Sequence, residues 1–217
     1  MSQAHETHEV LIPFEEGTLV GDLTIPRGAT GIVLFAHGSG SSRISPRNQF
    51  VAQTLNKAGL ATLLFDLLTK KEEMIDIMTA EYRFDIKLLT NRLIEASDWI
   101  EENQETKELN IGYFGASTGA AATLLAAALR PKAVKAVVSR GGRPDLAEGG
   151  LKNVQAPTLL IVGGQDGPVI QMNEVAFGEL SCAKKLLIIP GATHLFEEPG
   201  KLEVVAKEAT QWFQNYL

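Results

Sequence analysis

The stretch Ile111-Gly112-Tyr113-Phe114-Gly115-Ala116-Ser117-Thr118-Gly119 is a short apolar run that breaks into a G-x-S-x-G pentapeptide. An alanine-rich segment then continues to Leu129. In order, this is a buried strand, a tight turn and a helix. A serine squeezed between strand and helix must take a strained backbone, tolerated only when its neighbours are small. The strain lifts the hydroxyl out of the turn and aims the helix N-terminus at the group being attacked. Ser117 therefore reads as a nucleophile rather than as a helix cap between close-packed glycines.

Similar strands flank it. Apolar runs at Ile32–Ala36, Ala61–Phe65, Val134–Ser139, Thr158–Val162 and Lys185–Ile189 alternate with segments of helical periodicity. That pattern indicates a parallel sheet covered on both faces. Two further strands, Val10–Pro13 and Thr18–Ile25, are joined by a turn at Glu15-Glu16-Gly17. Ser45 and Pro46 start a helix that Gly59 ends. Ile86, Leu89, Leu93, Ala96 and Ile100 form one helical stripe, and Leu202, Val205, Ala209, Trp212 and Tyr216 form another. No linker or repeat interrupts residues 1–217, which read as a single α/β domain with a mostly parallel eight-strand sheet. The mixed-charge segment Asp66–Arg83 reads as a solvated loop with a short helix, with Tyr82 and Arg83 as second-rank contacts at a site rim.

A serine needs a base, and the base an orienting carboxylate. Asp166 follows the strand Thr158–Val162, and His194 follows the strand Lys185–Ile189, so both fall at the sheet end that carries Ser117. Asp145, after Val134–Ser139, is the rival acid. The loop His37-Gly38-Ser39-Gly40-Ser41-Ser42-Arg43 leaves another strand at that end. Acyl transfer needs two N–H donors on the developing oxyanion. The expected donors are Thr118 and Ser39, with Gly40 as the alternative to Ser39, while His37 braces the loop. A phosphate-binding loop is excluded, because no Gly-Lys-Ser/Thr follows and no G-x-G-x-x-G opens a helix here.

Composition sets the outer limits. The chain is 45% hydrophobic and 21% charged, which argues against a disordered protein. Its net charge of −6, without a basic run, argues against nucleic-acid or anionic-membrane partners. No apolar run is long enough to span a bilayer, and the polar start MSQAHETHEV lacks the features of a secretion signal. The single cysteine, Cys182, reads as a small hydrophobe beside a strand, and the expected setting is cytoplasmic. His5-Glu6-Thr7-His8 is one residue short of the zinc-binding H-E-x-x-H spacing, so neither metal nor cofactor is implied.

The chain resembles the α/β-hydrolase superfamily over nearly its whole length, and small dienelactone-hydrolase-like proteins in particular. The likeness rests on HGSGSSR at 37–43, SPRN at 45–48, GASTG at 115–119, SRGGRPDL at 139–146, GGQD at 163–166 and GATHLF at 191–196. It implies Ser117, Asp166 and His194 as the catalytic triad. Dienelactone hydrolases proper carry a cysteine nucleophile, so the serine here points to a general hydrolase of small carboxylic esters. Arg43, Arg140 and Arg143 are candidate anchors for an anionic substrate group, and Tyr82 is a candidate contact. The short Gly-rich run after Ser139 leaves no room for a cap, so the site should be open. A ligand-binding protein without turnover, or an acyltransferase or peptidase using the same triad, would fit the same residues. Monomer and homodimer are both compatible with the sequence.

Overall fold

The computed structural model describes residues 6–147 and 149–217; the first five residues, His5 among them, and Glu148 lie outside the described residues. Eight strands form one open sheet. They are β1 (Thr7–Phe14), β2 (Gly17–Thr24), β3 (Gly31–Ala36), β4 (Ala61–Phe65), β5 (Asn110–Ala116), β6 (Val134–Arg140), β7 (Thr158–Gly163) and β8 (Lys184–Ile189). Their order across the sheet is β1-β2-β4-β3-β5-β6-β7-β8. β2 pairs antiparallel with both β1 and β4, and every pairing from β4 through to β8 is parallel.

The period of two along each strand sorts side chains onto two faces. On β3, Ile32, Leu34 and Ala36 join one core cluster, while Val33 and Phe35 join the other. The first cluster is closed by α3 (Ile86–Glu102), α4 (Thr118–Leu129) and α5 (Gly167–Glu179). The second is closed by α1 (Pro46–Lys57) and α6 (Lys201–Tyr216). The stripe on α3 is largely this buried face, with Leu89, Leu93, Ala96 and Ile100 buried. On α6 the stripe holds only in part: Val205 and Ala209 are buried, Tyr216 is exposed, and Phe213, outside the stripe, is the buried aromatic because it lies on the helix face toward the sheet.

Two departures from the sequence reading concern the sheet end where the site forms. Strands β5, β6 and β7 run one or two residues further than expected, to Ala116, Arg140 and Gly163. Segment 66–83, read as a solvated loop with a short helix, does contain a helix, and a longer one than that reading implies, α2 (Lys70–Thr79) of 10 residues. A capping box starts it, with the Thr69 hydroxyl accepting from Glu72 N–H and the Glu72 carboxylate accepting from Thr69 N–H. Among the described residues the β6–β7 connection holds two short 3-10 turns, Pro144–Ala147 and Leu151–Asn153, and no inserted cap. Among the described residues no helix is long and apolar enough to cross a membrane.

Candidate active site

Ser117 sits at the carboxyl end of β5 with φ 51° and ψ −118°, in the left-handed half of the map that a non-glycine residue rarely occupies. The turn closes because its neighbours have no side chains. A Cβ on Gly115 would lie 2.5 Å from Ala120 Cα, and one on Gly119 2.3 Å from the Ala36 carbonyl oxygen. Main-chain bonds fix the turn from outside: Ser117 N–H donates to Arg140 C=O at 3.2 Å, and Arg143 N–H donates to Ser117 C=O at 3.1 Å.

Asp166 precedes α5 at its N-cap position, yet its carboxylate makes no capping bond. It turns instead to His194, whose Nδ1 lies 2.6 Å from Asp166 Oδ2. Nδ1–H is thus the donor, which leaves Nε2 as the free base position. The imidazole packs on Gly141, where a Cβ would come within 3.4 Å of the ring. Gly141 holds φ +53° and directly follows the residue bonded to Ser117. The structure therefore brings Asp166 and His194 into contact and sets both beside the elbow. No hydrogen bond joins Ser117 Oγ to His194 among the described residues; such bonds are often long before substrate binds. Asp145, the rival acid, is engaged by Arg143 at 2.9 and 2.8 Å.

The oxyanion loop differs from expectation in one atom. Thr118 N–H, at the first position of α4, has no carbonyl one turn earlier in its helix and is a natural donor. Ser39 N–H, expected to be free, donates to Thr118 Oγ1 at 2.9 Å. The reason is the residue type at 118, since a threonine hydroxyl reaches across the turn where an apolar side chain could not accept. Gly38 lies against the nucleophile, with its Cβ position 3.1 Å from Ser117 Cβ. His37 braces the loop as read: Nδ1–H donates to Gly38 C=O at 3.0 Å and Nε2 accepts from Leu67 N–H at 3.1 Å. Burial pushes its pKa down, which keeps the ring neutral in that role.

The arginines part company. Arg43 faces three carboxylates, Glu9, Asp22 and Asp66, at 3.0, 3.3 and 3.2 Å, so its charge is already matched and it is no free anchor. Arg143 is held by Asp145 and is likewise occupied. Arg140 is buried at 5% exposure with no carboxylate within 4 Å among the described residues. Tyr82 enters through its main chain, donating N–H to Asp76. Arg83 does more: its Nε meets Asp76 Oδ2 at 2.7 Å, and its Nη1 reaches the Gly40 turn. Burial alone would raise the Asp76 carboxyl, but N–H bonds from Arg83 and Tyr82 and the Arg83 charge together hold it below the usual carboxylate value. A cleft of about 510 Å³ opens between the 37–46 loop and α2, lined by Ile44, Leu67, Leu68, Ile77 and Arg83 among others. Its lining includes Gly38 and Ser39 but neither Ser117, which abuts Gly38, nor His194. The capping box was legible as Thr69-x-x-Glu72, whereas the Asp76–Arg83 hub carried no pattern in the sequence.

Residues 20–217 match the Dienelactone hydrolase family. The chain belongs to that family. A crystal structure of a dienelactone hydrolase from Anabaena variabilis is 60% identical, with a TM-score of 0.97 over 98% of this chain and 99% of that one. Family and fold agree on the α/β-hydrolase architecture. Est1E from Butyrivibrio proteoclasticus, at 17% identity, shares the fold with a TM-score of 0.79 over 95% of this chain and 98% of that one. A Mycobacterium tuberculosis protein provisionally named a phosphoribosyl transferase is 55% identical over 199 residues, which are 92% of this chain but 44% of that protein. This family member thus spans less than half the length of that curated relative.

Proposed function

We propose that the protein hydrolyses a small carboxylic ester through an acyl-enzyme on Ser117. The observation that supports this most is the 2.6 Å bond between Asp166 and His194 Nδ1, which leaves Nε2 as the free ring nitrogen at the sheet end where Ser117 is held in its strained turn. Ser117 Oγ attacks the carbonyl carbon while its proton passes to His194 Nε2. Asp166 holds the tautomer and faces the imidazolium that forms. Thr118 N–H meets the oxyanion, joined by a donor from the 38–40 loop once Thr118 Oγ1 releases Ser39. Collapse expels the alcohol, which takes the proton from His194. Water then repeats the sequence and frees the acid.

The uncapped sheet end and the modest cleft suit short substrates. Added methylenes stop contributing their ~0.8 kcal/mol each once they project into water. The name of the longer mycobacterial relative covers a protein of which this chain matches 44%, and no residue described above is assigned from it. One feature favours a second reading, a ligand-binding protein without turnover: the Ser39 donor is closed by Thr118 Oγ1.

The test joins labelling to turnover. A fluorophosphonate should modify Ser117 stoichiometrically, and short p-nitrophenyl esters should be cleaved. Ser117→Ala should abolish labelling and lower kcat by about four orders of magnitude. Asp166→Asn should lower it by roughly a hundredfold or more. Full turnover in folded Ser117→Ala would remove the mechanism, and labelling without turnover would select the second reading.

A further inference from the structure

Among the described residues, buried and half-buried arginines are matched by carboxylates, with one exception. Arg43 faces three of them, and Arg92, buried at 2% exposure, also faces three: Glu16, Glu72 and Glu95. Arg140 is enclosed almost as fully and has none. Its guanidinium makes one long bond, Nη2 to Asn48 Oδ1 at 3.4 Å, and stands 5.9 Å from the Phe196 ring. Its Nε–H is buried without an acceptor, as are those of Arg43, Arg47 and Arg92, so the missing carboxylate is what sets Arg140 apart.

The bond to Asn48 places that guanidinium at the third residue of α1, a twelve-residue helix. Arg47, the second residue, adds another cation, and its Nε–H is also buried without an acceptor. Its outer edge carries the exposed Glu197 at 3.0 Å, the one carboxylate of this group. Pro46 has no N–H and Asn48 N–H turns to Ser45 Oγ, so the Arg47 N–H is the first-turn donor left over. Two guanidinia and a helix N-terminus thus converge with two enclosed donors unanswered. A buried cation without a partner is a costly arrangement unless something supplies the missing charge. Burial and the Arg47 charge together push the Arg140 pKa down to about 10.

We propose that Arg140, with Arg47, Asn48 and the N-terminus of α1, forms a seat for a small oxyanion, a carboxylate or phosphate group, beside the nucleophile turn. Arg140 C=O accepts the Ser117 N–H, so the residue that would hold the anion is itself bonded to the elbow. A guanidinium offers such a group two parallel donors, and the helix end adds favourable potential. Seating it requires the turn bearing Phe196 and Glu197 to yield, since that turn covers Arg140 and is tied to α1 through the exposed Arg47–Glu197 pair.

The test is binding of inorganic phosphate and of acetate at constant ionic strength, by calorimetry and thermal melting. Wild type should bind saturably and melt higher with the anion. Arg140→Met should bind at least tenfold more weakly, and its anion-free form should melt no lower than wild type, because an unmatched buried charge has been removed. Arg47→Met, whose side chain is more exposed, should weaken binding several-fold and stands in if Arg140→Met does not fold. Absence of saturable binding in wild type, or undiminished binding in either variant, overturns the proposal.

Kinetics then separate the sources of the anion, and only this arm rests on the ester-hydrolase reading. Phosphate that raises KM for a carboxylated ester but not for its neutral match assigns the seat to the substrate's acid group. Phosphate that binds without changing either KM assigns it to a free ion.

Discussion

The serine turn at 115–119 and the rim segment at 69–83 stand at the carboxyl ends of β5 and β4, but they are held in opposite ways. The turn is fixed by main-chain bonds on both sides of Ser117 and by glycines that let backbone meet backbone. The rim is fixed by ionised side chains. Glu72 answers Thr69 and Arg92, and Asp76 gathers the N–H groups of Tyr82 and Arg83 together with the Arg83 guanidinium. Main-chain bonds do not titrate and are little screened by salt. The position of Ser117 is therefore insulated from solution conditions, while the wall of the neighbouring cleft responds to them.

The largest effect that could break this contrast lies in the turn. Gly119→Ala puts a methyl 2.3 Å from the Ala36 oxygen and 2.5 Å from the His37 oxygen, backbone atoms that cannot swing aside. Its better helix propensity should be overwhelmed. Ester turnover should drop by about a hundredfold, since such misplacement of reacting groups has that scale, and stability by about 1–3 kcal/mol. Unimpaired kcat in this variant would show that the turn tolerates displacement.

Asp76→Asn should do less, and differently. The amide keeps the shape but loses the charge-assisted bonds, lowering stability by about 1–3 kcal/mol. KM should rise while kcat stays within about twofold, because binding in the cleft is weakened and the chemistry is untouched. A fall in kcat matching that of Gly119→Ala would erase the distinction between rim and turn.

Acidification sharpens the same point with a smaller effect. Glu72 and Asp76 are both held below the ordinary carboxylate value once their N–H bonds and arginine partners outweigh burial. Depressed carboxylates contribute stability that is fully present above their unfolded values and lost as pH falls through the lower folded ones. The Arg83 Nε–H resonance should therefore shift and broaden only below the ordinary carboxylate range, ahead of resonances from Ala116 and Thr118. Simultaneous change at both places would contradict the contrast. The smallest effect belongs to Arg143→Ala, which removes a partly exposed pair with Asp145. Melting should register less than about 1 kcal/mol.

What the sequence made legible follows the same division. The turn was readable because its constraint is local: a strand pattern, two glycines and a serine within five residues. Asp166 and His194 were readable because strand ends are set by apolar runs, and the contact at 2.6 Å then follows from neighbouring strands. The rim was not, because Asp76 and Arg83 meet through side chains whose pairing no periodicity encodes. The arginines show the limit most clearly. Arg43 finds partners on β1, β2 and the end of β4, segments far apart in the chain. Arg140 did leave a trace, since Ala136, Val138 and Arg140 alternate onto the face whose first two members lie in the core packed against α1 and α6. Thr118 Oγ1 taking the Ser39 N–H is a contact of single atoms that residue type alone does not announce.

The sheet order carries one more consequence. Ser117 directly follows β5, which has a partner strand on each side, while His194 follows β8, a margin strand that among the described residues pairs with β7 alone and is partly open to water. Margins fray before centres. Partial opening would thus detach the proton-handling half of the proposed triad while the serine stayed in its turn. Under mild denaturant, loss of turnover becomes a gauge of fraying at β8, read well before the sheet as a whole gives way.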